Sequence, residues 1–142
     1  MADPIGAIQL GLTTTTKAWG AFQDVRGAGE NMEELKSEVR SFESILKALE
    51  KDQQLNPVGA EMLEVPIQRC NQVIEDILEK LKPFSKSKLG LKQSIEAAWS
   101  KSGFDTCLIT LRGGIDLLMA TRNIVRLVRI CLPVLSCNYV AS

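Results

Sequence analysis

The chain contains no histidine. Ser–His and Cys–His pairs of nucleophile and base are therefore impossible within it, and a histidine-ligated metal is excluded with them. Cysteine offers little in exchange. Cys70, Cys107, Cys131 and Cys137 include no C-x-x-C pair and stand at wide, irregular intervals. That pattern argues against a zinc site, and it suits small core residues in a reducing compartment better than a disulfide framework. Aromatic residues make up only 5% of the sequence, so the core must be mostly aliphatic. No apolar run approaches the roughly 20 residues that span a bilayer. The opening Met1-Ala2-Asp3-Pro4 has neither the basic start nor the apolar stretch of a secretory leader, and a cytoplasmic location is expected.

Charge of one sign is missing overall, since 17 basic residues balance 17 acidic ones. The balance is not local. Residues 1–79 carry seven Lys or Arg and fourteen Asp or Glu, while residues 80–142 carry ten and three. Two readings follow. Helices of opposite sign can lie side by side in one bundle, or the basic part can face an acidic partner or an anionic lipid surface. Nucleic acid is not expected, because no aromatics interleave with the basic residues.

What is present is helical periodicity. Asp3-Pro4 is a start signal, and Ile5, Ile8, Leu12, Trp19 and Phe22 recur at helical spacing. Thr15 or Thr16 fills the missing turn, which predicts a first helix over 4–25 despite the β-branched run Thr13–Thr16. Gly6, Gly11 and Gly20 loosen this helix or admit a close neighbour. Leu35, Val39, Phe42, Leu46 and Leu49 step by threes and fours, with Ile45 widening the stripe, and predict a second helix over 31–52. Its start is acidic at Glu30, Glu33 and Glu34, which suits the positive helix end.

Asn56-Pro57 opens a third helix with Met62, Leu63, Ile67, Cys70, Ile74, Ile77, Leu78 and Leu81 on one side. Pro66 either kinks it or marks where it becomes regular, and Pro83 stops it. Residues 83–90 read as a basic loop. Leu91, Ile95, Ala98 and Trp99 suggest a short helix near 91–100, broken at Ser102-Gly103. A last helix over about 104–130 presents Leu108, Leu111, Ile115, Leu118 and Met119, with Gly113-Gly114 permitting a bend or a close contact. Arg122, Arg126 and Arg129 share one side of it. They form either a solvated stripe or a basic amphipathic surface for a membrane or partner. Residues 131–142, with Pro133, have no helical period and are expected to be an irregular tail.

The expected fold is thus all-α: an antiparallel helical bundle of four main helices plus a short helix near 91–100, with the domain over 1–130. No catalytic, cofactor-binding or metal-binding residues are expected, nor a small-molecule substrate. Paired carboxylates such as Glu33-Glu34 and Glu75-Asp76 fall on polar helix faces, and Asp105 and Asp116 read as a cap and a surface partner. The candidate contact residues are Trp19, Phe22, Arg122, Arg126 and Arg129.

Residues 1–8 (Met-Ala-Asp-Pro-Ile-Gly-Ala-Ile) and Asp24-Val25-Arg26 resemble the opening of the fungal N-terminal domains carried by STAND-type NTPases. These domains are also described as HeLo-like, and a related group is named for an azaphilone pigment cluster protein. Leu35–Leu49 is similar to the family's leucine-rich second helix, and Cys70, Ile74, Ile77 and Leu81 to its third. Trp99-Ser100-Lys101 with Leu108, Leu111, Leu117 and Leu118 resembles its aromatic-basic turn and last helix. The resemblance covers about residues 1–128. It implies a helical signalling or effector module of fungal non-self recognition and cell death, some relatives of which act on membranes through the first helix. The reading is a non-enzymatic signalling or protein-interaction module that meets a protein partner or a second copy. The alternatives are a membrane-active cell-death effector and a truncated structural remnant.

Overall fold

Leu35, Val39, Phe42, Leu46 and Leu49 leave almost no surface to solvent, and the helix that carries them, α2, runs over Glu30–Lys51. A computed structural model describes the backbone of residues 4–25, 29–51, 57–85 and 95–141, and the side chains of 5–25, 29–51, 61–85, 95–128 and 131. The other helices are α1 (Pro4–Gln23), α3 (Pro57–Leu81), the short α4 (Ile95–Ala98) and α5 (Phe104–Ala141). A 3₁₀ turn over Lys82–Phe84 follows α3. No strand occurs among the described residues; an isolated bridge joins Val25 to Ser85. The all-α bundle read from the periodicity is the fold.

The broad contacts are α1 with α2, α1 with α3, α3 with α5, and α2 with α5. Each long helix therefore touches two others, and the consecutive helices α2 and α3 occupy a diagonal. Direction follows from the cross-contacts. Gln9 donates to Glu50 at 2.8 Å and Trp19 to Glu43 at 2.8 Å, so α1 and α2 are antiparallel. Lys80 donates to the Ser102 carbonyl at 3.0 Å, and Gly114 lies against Cys70, so α3 and α5 are antiparallel as well. α1 and α3 run parallel, since Gly6 and Ala7 share a cleft with Glu64 and Asn71 at one end while Val25 bridges Ser85 at the other.

The faces differ from the expected ones in instructive ways. In α1 the buried residues are Ala7, Ile8, Gly11, Thr14, Thr15, Ala18 and Phe22, whereas Ile5 is 72% exposed. Small residues turn inward because α2 comes so close: a Cβ on Gly11 would stand 2.6 Å from Leu46 Cδ1. Thr15 is the residue that fills the missing turn, and Thr16 is exposed. All four threonines are helical because each hydroxyl donates to a carbonyl three or four residues back, Thr13 to Gln9, Thr14 to Leu10, and Thr15 and Thr16 to Leu12. That bond offsets the poor helix propensity of a β-branched residue without exposing a polar group to the core.

α3 stays helical across Pro66; all of its expected apolar residues are buried except Met62, which is exposed, and Leu78, which is partly so. In α5 Leu108, Leu111, Ile115 and Leu118 are buried as expected but Met119 is exposed. The short helix is confined to Ile95–Ala98, and residues 86–94 of its surroundings lie outside the described residues. Gly103 takes φ 80°, the left-handed turn between α4 and α5 that glycine adopts without a Cβ clash. Residues 131–141, expected to be irregular, continue α5 to Ala141. Pro133 removes one amide donor, a loss of about 3 kcal/mol, but a helix already seven turns long propagates past a local defect because no new nucleus is needed.

Candidate interaction surface

Of the residues singled out in the sequence, Trp19 and Phe22 stand together on α1 with ring centroids 5.5 Å apart, edge to face. Phe22 is 3% exposed and belongs to the core. Trp19 is half-buried and held on both sides by α2: its indole donates to Glu43 Oε2, and the Arg40 guanidinium lies 5.5 Å over its ring. Burial pushes the Glu43 carboxyl up, but the bonds from Trp19 and Lys47 and the charge of Lys47 outweigh it and hold the group below its ordinary range. These two aromatics join α1 to α2. An outside contact through Phe22 would require α1 to leave the bundle.

Arg122 and Arg126 sit one turn apart on α5, Arg122 half-buried and Arg126 exposed; the side chain of Arg129 lies outside the described residues. Arg112 bridges the acidic and basic halves of the chain, reaching Glu34 and Glu38 of α2 at 3.2 Å each. Part of the charge division is thus internal complementarity between neighbouring helices. Asp105, expected as a cap, instead accepts hydrogen bonds from the Trp99 indole and the Ser100 hydroxyl.

The two buried thiols offer no reactive centre. Burial drives Cys70 up to about 12 and also raises Cys107, which leaves both protonated at neutral pH. Among the described residues no group of three or more His, Cys, Asp or Glu could hold a metal ion. No helix is long and apolar enough to cross a membrane, again among the described residues.

A shallow cleft of about 240 Å³ lies between the start of α1 and α3, lined by Gly6, Ala7, Leu10, Glu64, Ile67, Gln68 and Asn71. Asn71 is only 5% exposed, and its Oδ1 has no hydrogen-bond partner. An unsatisfied buried acceptor destabilises a fold by about 1–3 kcal/mol. Replacing Asn71 with leucine, of similar volume, is therefore expected to raise stability by ~1 kcal/mol and Tm by about 4 °C. Thermal denaturation checks this, and a fall in Tm would show that Oδ1 is bonded, through water for example.

The surface that sequence reading missed is the outer side of α5. Gly113, Leu117, Ala120, Ile124, Leu127 and Cys131 recur at intervals of four, three, four, three and four, and all six are exposed. Ile109, 68% exposed, extends the stripe by one turn. Steps of four and three in alternation are the pattern of a coiled-coil heptad seam. α5 is therefore apolar on two sides, one turned into the bundle and one bare. The signal was present in the chain as this second heptad register, hidden under the first.

Residues 5–112, well over half of the chain, match the family of pigment biosynthesis cluster protein PigL N-terminal domains. The chain belongs to this family. No curated protein and no solved structure matches it. The PigL N-terminal match falls on the pigment-cluster side of the resemblance drawn from the sequence. It ends at Arg112, inside α5, so the bare seam from Gly113 to Cys131 lies beyond the matched residues.

Proposed function

We propose that this member of the PigL N-terminal family is a non-enzymatic protein-interaction module of the signalling kind, and that it works by contact through the outer face of α5. The bare apolar seam carries the reading. Large exposed apolar residues are common singly, but an ordered row along one helix is the mark of an interaction surface. The chemistry elsewhere supports it. There is no histidine, and carboxylates that could serve as acids or bases are tied to neighbours one turn away, Glu33 to Lys36, Glu43 to Lys47, Glu79 to Lys82 and Glu64 to Gln68.

The test is site-specific photo-cross-linking in cells that express the full chain. A photoreactive phenylalanine analogue at Ile109 or Leu127 is expected to give discrete protein adducts, while one at the exposed Ser44 of α2 gives none. Equal labelling at all three positions, or adducts to lipid alone, would overturn the reading.

A further inference from the structure

We propose that two copies of this chain associate through the outer faces of α5, antiparallel about a two-fold axis at the level of Arg122. Leu117 of one copy then meets Leu127 of the other, Ala120 meets Ile124, and Gly113 meets Cys131. The proposal rests on the contact-module reading and names its partner.

The first argument is the fit of the seam to itself. In an antiparallel pair the two positions of the heptad face each other in every layer. At the register given, each small residue, Gly113 or Ala120, lies opposite a larger one, and the remaining layers pair leucine with leucine. The six residues from Gly113 to Cys131 form a continuous ridge roughly 27 Å long at about 1.5 Å per residue. A parallel pair in register would stack Gly113 on Gly113 and Ala120 on Ala120. The leucine and isoleucine layers would then hold the helices apart over empty space, and unfilled volume of that kind is destabilising.

The second argument is the polar flank. The seam is flanked on the α2 side by Asp116 and Asn123, both exposed. An antiparallel two-fold brings like flanks together. Asn123 of one copy then falls within roughly 3 Å, along the axis, of Asn123 of the other, where the two amides can bond each other. The two Asp116 side chains stand roughly 18 Å apart along the axis, beyond the ~8 Å screening length at physiological salt.

The third observation lies on the other flank. The antiparallel contacts of α3 with α5, Cys70 at Gly114 and Lys80 at Ser102, place Met62 level with residues 120–122 of α5. Met62 shares its side of α3 with Pro66, Cys70 and Val73, which are buried, yet is itself exposed. It stands beside the proposed axis, where a second copy would cover it along with its symmetry mate.

The test is sedimentation equilibrium on the full chain over a concentration series, under reducing conditions. The wild type is expected to approach twice the monomer mass. Leu117→Glu combined with Ile124→Glu is expected to weaken association by about 100-fold or more, since charges would then lie unpaired in the seam. Both positions are exposed in the single chain, so helical circular dichroism is to stay unchanged. Asn123→Asp, which sets two like charges together beside the two-fold axis, is expected to weaken association on the order of ten-fold. On mild oxidation in a Cys137→Ser background, Gly113→Cys is expected to link to Cys131 of the second copy; a Cβ at Gly113 meets nothing within 4 Å among the described residues. A wild type that stays at monomer mass throughout would overturn the proposal. An Asn123→Asp variant that associates as tightly as the wild type, or a Cys131–Cys131 link in the wild type, would overturn the antiparallel register. Photo-adducts at Ile109 or Leu127 to a protein of another mass, with a monomeric wild type, would remove self-association and leave the contact-module reading standing.

Discussion

Replacing Gly114 with alanine is expected to destabilise the fold, while the same change at Gly113 stabilises it. Glycine in a helix interior costs about 1 kcal/mol relative to alanine, and that gain applies to both positions. The environments are opposite. A Cβ at Gly113 meets nothing within 4 Å, whereas one at Gly114 would stand 2.9 Å from Cys70 Sγ, which is fully buried with little room to turn. Gly114→Leu drives a larger side chain into the most extensive interface of the bundle, between α3 and α5. Its expected cost is ~3 kcal/mol, a fall in Tm of about 12 °C. Adding Cys70→Ala should recover part of the Gly114→Ala loss, because the two side chains compete for one space. Urea denaturation of the single and double variants measures this. An equal response at the two glycines would show that α5 does not approach α3 through Gly114.

Trp99→Ala is expected to cost about 3–5 kcal/mol, the range for removing a large aromatic from a core. Trp99 is 2% exposed, stacks on Phe104 at 5.0 Å, and gives its indole hydrogen to Asp105. Phe104 meets Phe84 edge-on at 6.1 Å. The three rings connect the turn after α3, the turn after α4 and the first residue of α5, so their loss frees the top of the bundle where the chain reverses. Trp99→Phe keeps the ring stack and loses the indole bond, and is expected to cost only ~1 kcal/mol. Chemical denaturation followed by circular dichroism separates the two. A loss below about 1 kcal/mol for Trp99→Ala would mean that the turn is held by other contacts.

The two glycines show why some features are legible in a chain and others are not. A Gly-Gly pair announces that backbone can come close, but the direction of approach depends on how the helix is rotated about its axis. The candidate contact residues divide along the same line. Trp19 and Phe22 were recognisable as aromatic anchors, and the fold assigns them to α2 and the core rather than to an outside surface. Arg122 and Arg126 were recognisable as one basic side of a helix, yet that side is turned away from the apolar seam, and Arg122 is half-buried.

The chain by itself determined the all-helical class, the order and approximate limits of α1, α2 and α3, and the buried stripe of α2. These follow from local rules: apolar spacing, proline at helix starts, and glycine or proline at their ends. Only the tertiary structure decided which apolar stripe is covered. In α1 it turned Gly11, Thr15 and Ala18 inward and left Ile5 in solvent, and in α5 it buried one of two apolar sides and left the seam from Gly113 to Cys131 bare. Periodicity shows that a face is apolar. Burial requires a second element to lie against that face, and where each long helix has already found two neighbours, the outer side of α5 has none left among the described residues.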